Sequence, residues 1–136
     1  AVTIGGAIEV HRTLGPGLLE SAYQRCLCRE LELRGLKVST QVPVNLEYRG
    51  VRLERAYSID LVVEELVVVE IKSVEQLQSI HTSQLLTYLR LTGIPCGLLI
   101  NFNVDQLINS YQSVSNAANA DVQASTVFQG RSKVRL

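Results

Sequence analysis

Val67-Val68-Val69-Glu70-Ile71-Lys72 is a run of β-branched residues that carries two charges, and it predicts a β-strand. Because side chains alternate between the two faces of a strand, Glu70 and Lys72 share one face. Charged groups are costly to bury unless they have partners. This strand therefore predicts either a solvated charged face or a functional site.

A second apolar strand precedes it, over residues 56–63, and contains Asp60. Glu64-Glu65 alone separates the two runs, and so short a connection predicts an antiparallel hairpin. Asp60 would then lie close to Glu70. Two carboxylates and one ammonium group would suit a divalent cation and the hydrolysis of a phosphodiester.

The elements around this hairpin define the fold class. The apolar strand predicted over 96–102 follows the helix predicted over 74–92. A right-handed crossover through this helix would place the strand parallel to strand 66–72. Strand 66–72 would then lie between two neighbours in the centre of the sheet. The fold class is predicted to be α/β, a single domain over residues 1–136 with a mixed central β-sheet flanked by helices. From hydrophobic spacing and glycine or proline breaks, the remaining elements are predicted as helices 3–13, 18–34 and 74–92 and strands 37–49 and 96–102.

The C-terminal part has a weaker pattern. Residues 104–112 are predicted as a short helix and 113–126 as an exposed loop or weak helix, so that 109–130 would form a polar loop or weakly ordered insertion. Residues 131–135 alternate basic residues with others, as in a charged edge strand.

The composition limits the classes of function. Lys plus Arg (13) balance Asp plus Glu (13), so no global basic field attracts nucleic acid and a local patch or a cation would be needed. No apolar run reaches membrane-spanning length, and the N-terminus does not have the pattern of a signal peptide. Cys26, Cys28 and Cys96 have no zinc spacing and are interpreted as reduced core thiols. A cytoplasmic protein without membrane contact is expected.

Two helices carry further candidate side chains. Glu20 is predicted one turn into the second helix, where an acid is explained equally by the helix dipole and by a functional cleft. His81, Gln84 and Tyr88 form a polar line on the helix that follows the Glu70 strand. A solvated flank explains His81 best, whereas Gln84 and Tyr88 are expected to approach the carboxylates.

In this order, Glu20, Asp60, Glu70-Ile71-Lys72 and Gln84-x-x-x-Tyr88 resemble the PD-(D/E)xK nuclease superfamily, in its RecB-like arrangement. The closer resemblance is to the small bacterial GxxExxY family, whose motif stands here as Gly17-Leu18-Leu19-Glu20-Ser21-Ala22-Tyr23. The resemblance covers residues 4–107 and implies a restriction-endonuclease-like core of order αβββαβ. Ile59 stands where the superfamily name places proline, and 109–130 has no counterpart.

The resemblance also implies roles for these residues. Asp60 and Glu70 would bind Mg²⁺ or Mn²⁺ with the Ile71 backbone carbonyl, and Glu20 would complete or orient that metal site. Lys72 would assist the attacking water. Gln84 and Tyr88 would position the substrate or Lys72.

The predicted function is that of a metal-dependent nuclease that hydrolyses phosphodiester bonds of nucleic acid, with DNA favoured over RNA. A homo-oligomer is compatible with this prediction. Two alternatives stay open. One is a non-catalytic nuclease-fold module that binds nucleic acid or regulates, and the other is a structural protein with an ion-paired Glu70 and Lys72.

Overall fold

The strand that carries Glu70 lies inside a mixed six-stranded sheet. In the computed structural model, which describes residues 2–107, 110–115 and 127–129, the strands are ordered β1-β2-β3-β4-β5-β6 across the sheet. The predicted α/β fold class is confirmed. Along the chain the elements are α1 (Val2–Leu14), α2 (Glu20–Leu33), β1 (Val38–Tyr48), β2 (Val51–Val63), β3 (Val67–Lys72), α3 (Ser79–Thr92), β4 (Cys96–Asn101), β5 (Tyr111–Ser115) and β6 (Val127–Gln129).

The predicted hairpin joins β2 to β3. Glu64 and Glu65 both adopt left-handed backbone angles, with φ of 55° and 60°, as tight hairpin turns require. The two strands pair from Val63 opposite Val67 to Leu61 opposite Val69, and no pair is formed beyond that point. Pairing with β3 therefore stops at Leu61, so that Asp60, the adjacent residue of β2, has no partner in the ladder.

The strand β4 runs parallel to β3 along its whole length, as the crossover predicted. Six residue pairs join them, from Val67 opposite Cys96 to Lys72 opposite Asn101. The helix α3 makes the connection and ends at Gly93, whose φ is 77°, a conformation that favours glycine. Because β2 and β4 flank β3, the Glu70 strand is central.

Helices cover both faces of the sheet. On one face, Tyr23 and Leu27 of α2 pack with Ile71. On the other face, Leu85 of α3 packs with Val68. Since Glu70 and Lys72 alternate in the same phase as Val68, they point to the face that α3 covers.

Several predicted boundaries are corrected. The third helix begins at Ser79 instead of residue 74, and β2 begins at Val51 instead of residue 56. The predicted helix over 104–112 is wrong, because residues 104–106 are not helical and β5 begins at Tyr111. The strands β5 and β6 both fall within 109–130. The expected edge strand over 131–135 lies outside the described residues.

The interpretation of the cysteines as core thiols is also corrected. Cys26 is exposed, while Cys28 and Cys96 are half-buried, and all three are free thiols. None of the described helices is long and apolar enough to cross a membrane.

Candidate active site

Asp60 and Glu70 meet where β2 separates from β3. The backbone N–H of Asp60 donates to Oε2 of Glu70 at 3.1 Å, and the backbone N–H of Ile71 donates to Oδ2 of Asp60 at 2.9 Å. Each carboxylate thus accepts a hydrogen bond from the backbone of the opposite strand. The two side chains replace the ladder hydrogen bonds that stop at Leu61, and this exchange holds them together.

Burial changes the acidity of both carboxyls. Glu70 is 6% exposed, and burial, followed by the negative charge of Asp60, raises its pKa to about 8. Burial also raises the pKa of Asp60, although the hydrogen bond from Ile71 and the charge of Lys72 oppose this rise. The pair therefore holds a proton near neutral pH in the absence of another cation.

Lys72 provides positive charge without forming an ion pair. Its charge lowers the pKa of Asp60 and of Glu70, which places the ammonium group near both. In the described part of the chain, the side-chain ion pairs within 4.0 Å are Arg12 with Glu9 and Arg34 with Glu30. The ion-paired Glu70 and Lys72 of the structural alternative are therefore not observed.

Glu20 reaches the same end of β3 from the opposite face of the sheet. It is the first residue of α2, and its Oε2 accepts the backbone N–H of Ser73 at 3.2 Å. The Ser73 hydroxyl donates to the Leu18 carbonyl at 3.3 Å. The negative charge of Glu20 contributes to the raised pKa of both Asp60 and Glu70. The structure thus brings Glu20 near the carboxylate pair, while its role at a metal site stays a prediction.

Tyr23 fixes the loop that precedes Glu20, a role that the sequence did not reveal. Its hydroxyl donates to the Gly15 carbonyl at 2.5 Å and accepts the Leu18 N–H at 3.1 Å. Its fully buried ring stacks on Phe102 with centroids 4.4 Å apart. The loop between α1 and α2 is therefore attached to the core just before Glu20.

The helix α3 brings Tyr88 to the site. Tyr88 is buried, and burial together with the charges of Glu70 and Asp60 raises its pKa to about 12. Its hydroxyl consequently stays protonated at physiological pH. Gln84 is half-buried one turn earlier and, within the described residues, its side chain forms no hydrogen bond.

His81 serves the start of α3. Its Nδ1 accepts the backbone N–H of Gln78 at 3.0 Å, which satisfies a donor at the helix N-terminus. This contact gives the half-buried His81 a structural role at the helix start, whereas the sequence predicted a solvated flank.

Asn101 is a second residue that sequence reasoning missed. It is 2% exposed at the end of β4, next to Lys72. Its Oδ1 accepts the Val74 N–H at 3.0 Å, and its Nδ2 donates to the Val74 carbonyl at 2.9 Å. Both backbone groups of Val74 are thus bound by the Asn101 side chain, and the helix α3 begins only at Ser79. The available signal was an amide directly after the apolar run 96–100.

The donors at the site are all oxygens. Asp60 and Glu70 provide carboxylates, and the Ile71 carbonyl points to the β2 side of β3 like its own N–H, beyond the last β2–β3 pair. Hard divalent cations take oxygen atoms as ligands, and Mg²⁺ keeps several waters beside one or two carboxylates. A set of three or more acidic, histidine or cysteine side chains arranged for a metal is absent from the described residues. The donors thus fit a cation held by two carboxylates.

Comparison with protein families agrees with this fold and site. The chain belongs to the PD-(D/E)XK nuclease superfamily, whose model matches residues 1–114. Members of this superfamily generally use divalent metal ions. Comparisons with curated proteins and with solved structures gave no significant match. The matched span includes every candidate site residue, while the individual roles of these residues stay predictions.

Proposed function

We propose that this protein is a metal-dependent nuclease that hydrolyses phosphodiester bonds of nucleic acid, with DNA as the preferred substrate. Membership of the nuclease superfamily supports the reaction class. The observation that carries the proposal is the pair formed by Asp60 and Glu70 at the point where β2 and β3 separate. Burying two carboxyls beside each other costs desolvation and repulsion, and perturbed acids in such a place are typical of active sites.

The residues would divide the work as follows. Asp60, Glu70 and the Ile71 carbonyl would hold Mg²⁺ or Mn²⁺, and Glu20 would orient this group through its position beside Ser73. The cation would supply an activated water and neutralise charge on the phosphate. The Lys72 ammonium would donate to the attacking water or to a phosphate oxygen.

Tyr88 and Gln84 would position the substrate from α3. With a pKa of about 12, the Tyr88 phenol is a stable hydrogen-bond donor for a phosphate oxygen or for a carboxylate. Gln84, half-buried on the same helix, offers a carboxamide donor.

We further infer that the chain is a GxxExxY-type member of the superfamily. The contacts of the motif support this: Tyr23 holds the loop, and Glu20 caps the backbone after Lys72. Gly17 adopts a φ of 102° in that loop, which favours glycine. The three named positions of the motif thus act together to place one carboxylate.

The proposal is tested by incubating the protein with plasmid DNA, single-stranded DNA and RNA in Mg²⁺, in Mn²⁺ and in EDTA. Cleavage is expected with either cation and not with EDTA. Glu70→Gln is expected to cleave at least a hundredfold more slowly, because it removes a group that would hold the catalytic cation. This loss corresponds to an increase of about 3 kcal/mol in the activation barrier. Glu65→Gln is the matched control, because Glu65 lies exposed in the turn of the same hairpin, and it should cleave normally.

Two results would contradict the proposal. One is cleavage that persists in Glu70→Gln, which would identify a contaminating nuclease. The other is no cleavage of any of the three substrates under any of these conditions by the folded protein.

A second candidate function is a nuclease-fold module that binds nucleic acid without cutting it. One observation favours it: within the described residues, no group of three or more acidic, histidine or cysteine side chains is arranged for a metal. Binding of an oligonucleotide without cleavage in Mn²⁺ would select this candidate.

A further inference from the structure

The outer half of the β1–β2 hairpin projects from the sheet as a two-stranded ribbon, residues 45–57, which we name the arm. The arm has no third strand, because β2 pairs with β3 only from Leu61 onward and β1 is the edge of the sheet. Arg49 and Gly50 form its turn with φ of 45° and 89°, the angles of a stiff two-residue hairpin turn. At its base, the N–H of Arg55 donates to Asn45 Oδ1 at 2.8 Å.

One face of the arm is apolar and open to solvent. Leu46 pairs with Leu53 and Tyr48 with Val51, so their side chains share a face. Val44 packs under α3 and lies two residues before Leu46, and the register of β1 and β2 shifts between these two residues. The apolar face of the arm therefore begins next to the face of the sheet that carries Glu70. The exposed large hydrophobic side chains of this region are Tyr48 (64%), Val51 (56%), Leu53 (48%) and Tyr57 (38%).

The base of the arm contacts the candidate active site. The ring of Tyr57 lies against the ring of Tyr88, with centroids 5.7 Å apart, and Tyr88 is affected by the charges of Glu70 and Asp60. Tyr57 precedes Asp60 by three residues of one strand, about 10 Å at ~3.3 Å per residue. The base of the arm is therefore within reach of a chain bound at the carboxylates.

The charges of the arm suit an anionic partner. Three exposed arginines, Arg49, Arg52 and Arg55, outnumber the two exposed acids of the arm, Glu47 and Glu54. Within the described residues none of the three arginines forms an ion pair, although Glu47 lies opposite Arg52 on the face away from Leu53. The guanidinium of Arg49 lies 5.4 Å from the centroid of the Tyr48 ring. Tyrosine rings beside arginines are the combination on which single-stranded nucleic acids stack their bases.

The area of the apolar face argues against a second copy as its occupant. The four exposed side chains offer on the order of 400 Å², since a whole aromatic side chain contributes only about 150–250 Å². A stable protein interface takes about 800 Å² from each partner. A patch of this size on a monomer is in the range that is often functional.

We propose that the arm is a stacking platform for unpaired bases of the substrate, so that the protein acts on single-stranded nucleic acid or on the single-stranded part of a junction. This inference takes its class of ligand from the proposed function. Duplex bases are already stacked inside the helix and are not available to these rings, which gives the selectivity.

The test is fluorescence anisotropy of a labelled single-stranded oligonucleotide and of its blunt duplex, measured in EDTA with the full chain. The single strand is expected to bind more tightly. Tyr48→Ala should weaken its binding about five- to one-hundredfold, the range for loss of one stacked base. Tyr48→Phe should retain the affinity, because the ring remains. Arg49→Ala should weaken binding, whereas Arg29→Ala, an exposed arginine on α2 across the sheet, should not.

Three outcomes would overturn the inference. The first is equal affinity for the single strand in wild type and Tyr48→Ala, and the second is no binding of either oligonucleotide by wild type. The third is a wild-type dimer that Leu53→Lys converts to a monomer while nucleic-acid binding is unchanged. The substituted side chains are exposed, so these variants should fold, and circular dichroism would verify this. Binding that depends on Tyr48 without cleavage in Mn²⁺ would support the arm while refuting the nuclease. Cleavage that is insensitive to Tyr48→Ala at low substrate concentration would support the nuclease while refuting the role of the arm.

Discussion

The carboxylates of Asp60 and Glu70 are joined through each other's backbone: Glu70 Oε2 accepts the Asp60 N–H at 3.1 Å, and Asp60 Oδ2 accepts the N–H of Ile71, the neighbour of Glu70, at 2.9 Å. This reciprocal arrangement ends the β2–β3 ladder without leaving the two buried donors unpaired. It also places two acids where one of them cannot easily ionise. Stability and chemistry are therefore linked at one point of the fold.

The stability of the protein should fall as the pH rises through the titration of Glu70. Its pKa in the folded protein is about 8, against an ordinary value of 4.5, so the folded state retains a proton that the unfolded chain has lost. The free energy of unfolding therefore decreases between about pH 4.5 and pH 8. Melting temperatures measured across this range should decline in wild type, and the decline should be smaller in Glu70→Gln.

Glu65→Gln should follow wild type across that pH range, because it removes an exposed carboxylate of the same hairpin. Equal pH profiles for wild type and Glu70→Gln would show that Glu70 titrates normally.

A divalent cation should replace the proton shared by the pair. At pH 8, Mn²⁺ is expected to raise the melting temperature of wild type, because a ligand that binds only the folded state stabilises it. The increase should be smaller at pH 6, where protons compete for Asp60 and Glu70. Asp60→Asn should lose the increase while Asp105→Asn, an exposed acid, should keep it. A Mn²⁺ effect that is unchanged in Asp60→Asn would place the cation elsewhere.

The two substitutions Asp60→Asn and Asp60→Ala should separate structure from chemistry. The asparagine Oδ1 can still accept the Ile71 N–H, whereas alanine leaves this donor of a buried strand unpaired, which costs about 1–3 kcal/mol. Urea unfolding should therefore show Asp60→Ala to be clearly less stable than Asp60→Asn, and both should be inactive. Equal stability of the two variants would mean that the hydrogen bond contributes little.

Much of this arrangement could be predicted from the sequence, because it depends on local patterns. The valine run, the two-glutamate turn and Gly93 indicated the β2–β3 hairpin and the parallel β3–β4 pair. The start of α3 could not be predicted, since Val74 fits a helical apolar stripe. In the structure its backbone is bound by the side chain of Asn101 instead. That contact joins residues 27 positions apart.

The C-terminal strands and the arm also depend on long-range contacts that the sequence does not show. Val114 is fully buried in β5, yet its serine-rich surroundings resemble a loop. Pairing with β4 places β5 in the sheet, and the Val114 side chain then packs in the cluster that contains Leu85 of α3. The residues of the arm alternate like an ordinary half-buried strand. Only the three-dimensional structure reveals that nothing within the described residues covers their apolar face.

Tyr23→Phe should disconnect the α1–α2 loop from the core. The ring can still stack on Phe102, but the hydroxyl contacts to the Gly15 carbonyl and the Leu18 N–H are lost. A loss of stability of about 1–2 kcal/mol is expected, with faster hydrogen exchange at the Leu18 amide. Cleavage should fall as well, because Glu20 is no longer held in place.

Tyr48→Phe removes an exposed hydroxyl and is the matched control for Tyr23→Phe. Its stability should equal that of wild type. Wild-type hydrogen exchange at Leu18 in Tyr23→Phe would show that the hydroxyl does not hold the loop.

Asn101→Ala should destabilise the segment that follows β3. It removes the acceptor of the Val74 N–H and the donor to the Val74 carbonyl together, so a loss of about 2–3 kcal/mol is expected in urea unfolding. Asn103→Ala, which removes only a longer contact of 3.4 Å to the same carbonyl, should cost much less. Similar losses in the two variants would contradict the role assigned to Asn101.

The central claim is that the carboxylate pair and Lys72 together cleave phosphodiesters. It is tested most directly by the single-turnover cleavage rate of a labelled DNA strand in Mn²⁺ for Lys72→Ala and for Lys37→Ala, an exposed lysine outside the site. The account predicts wild-type cleavage for Lys37→Ala and a loss of at least a hundredfold for folded Lys72→Ala, about 3 kcal/mol of barrier. Equal cleavage rates for the two variants would contradict it.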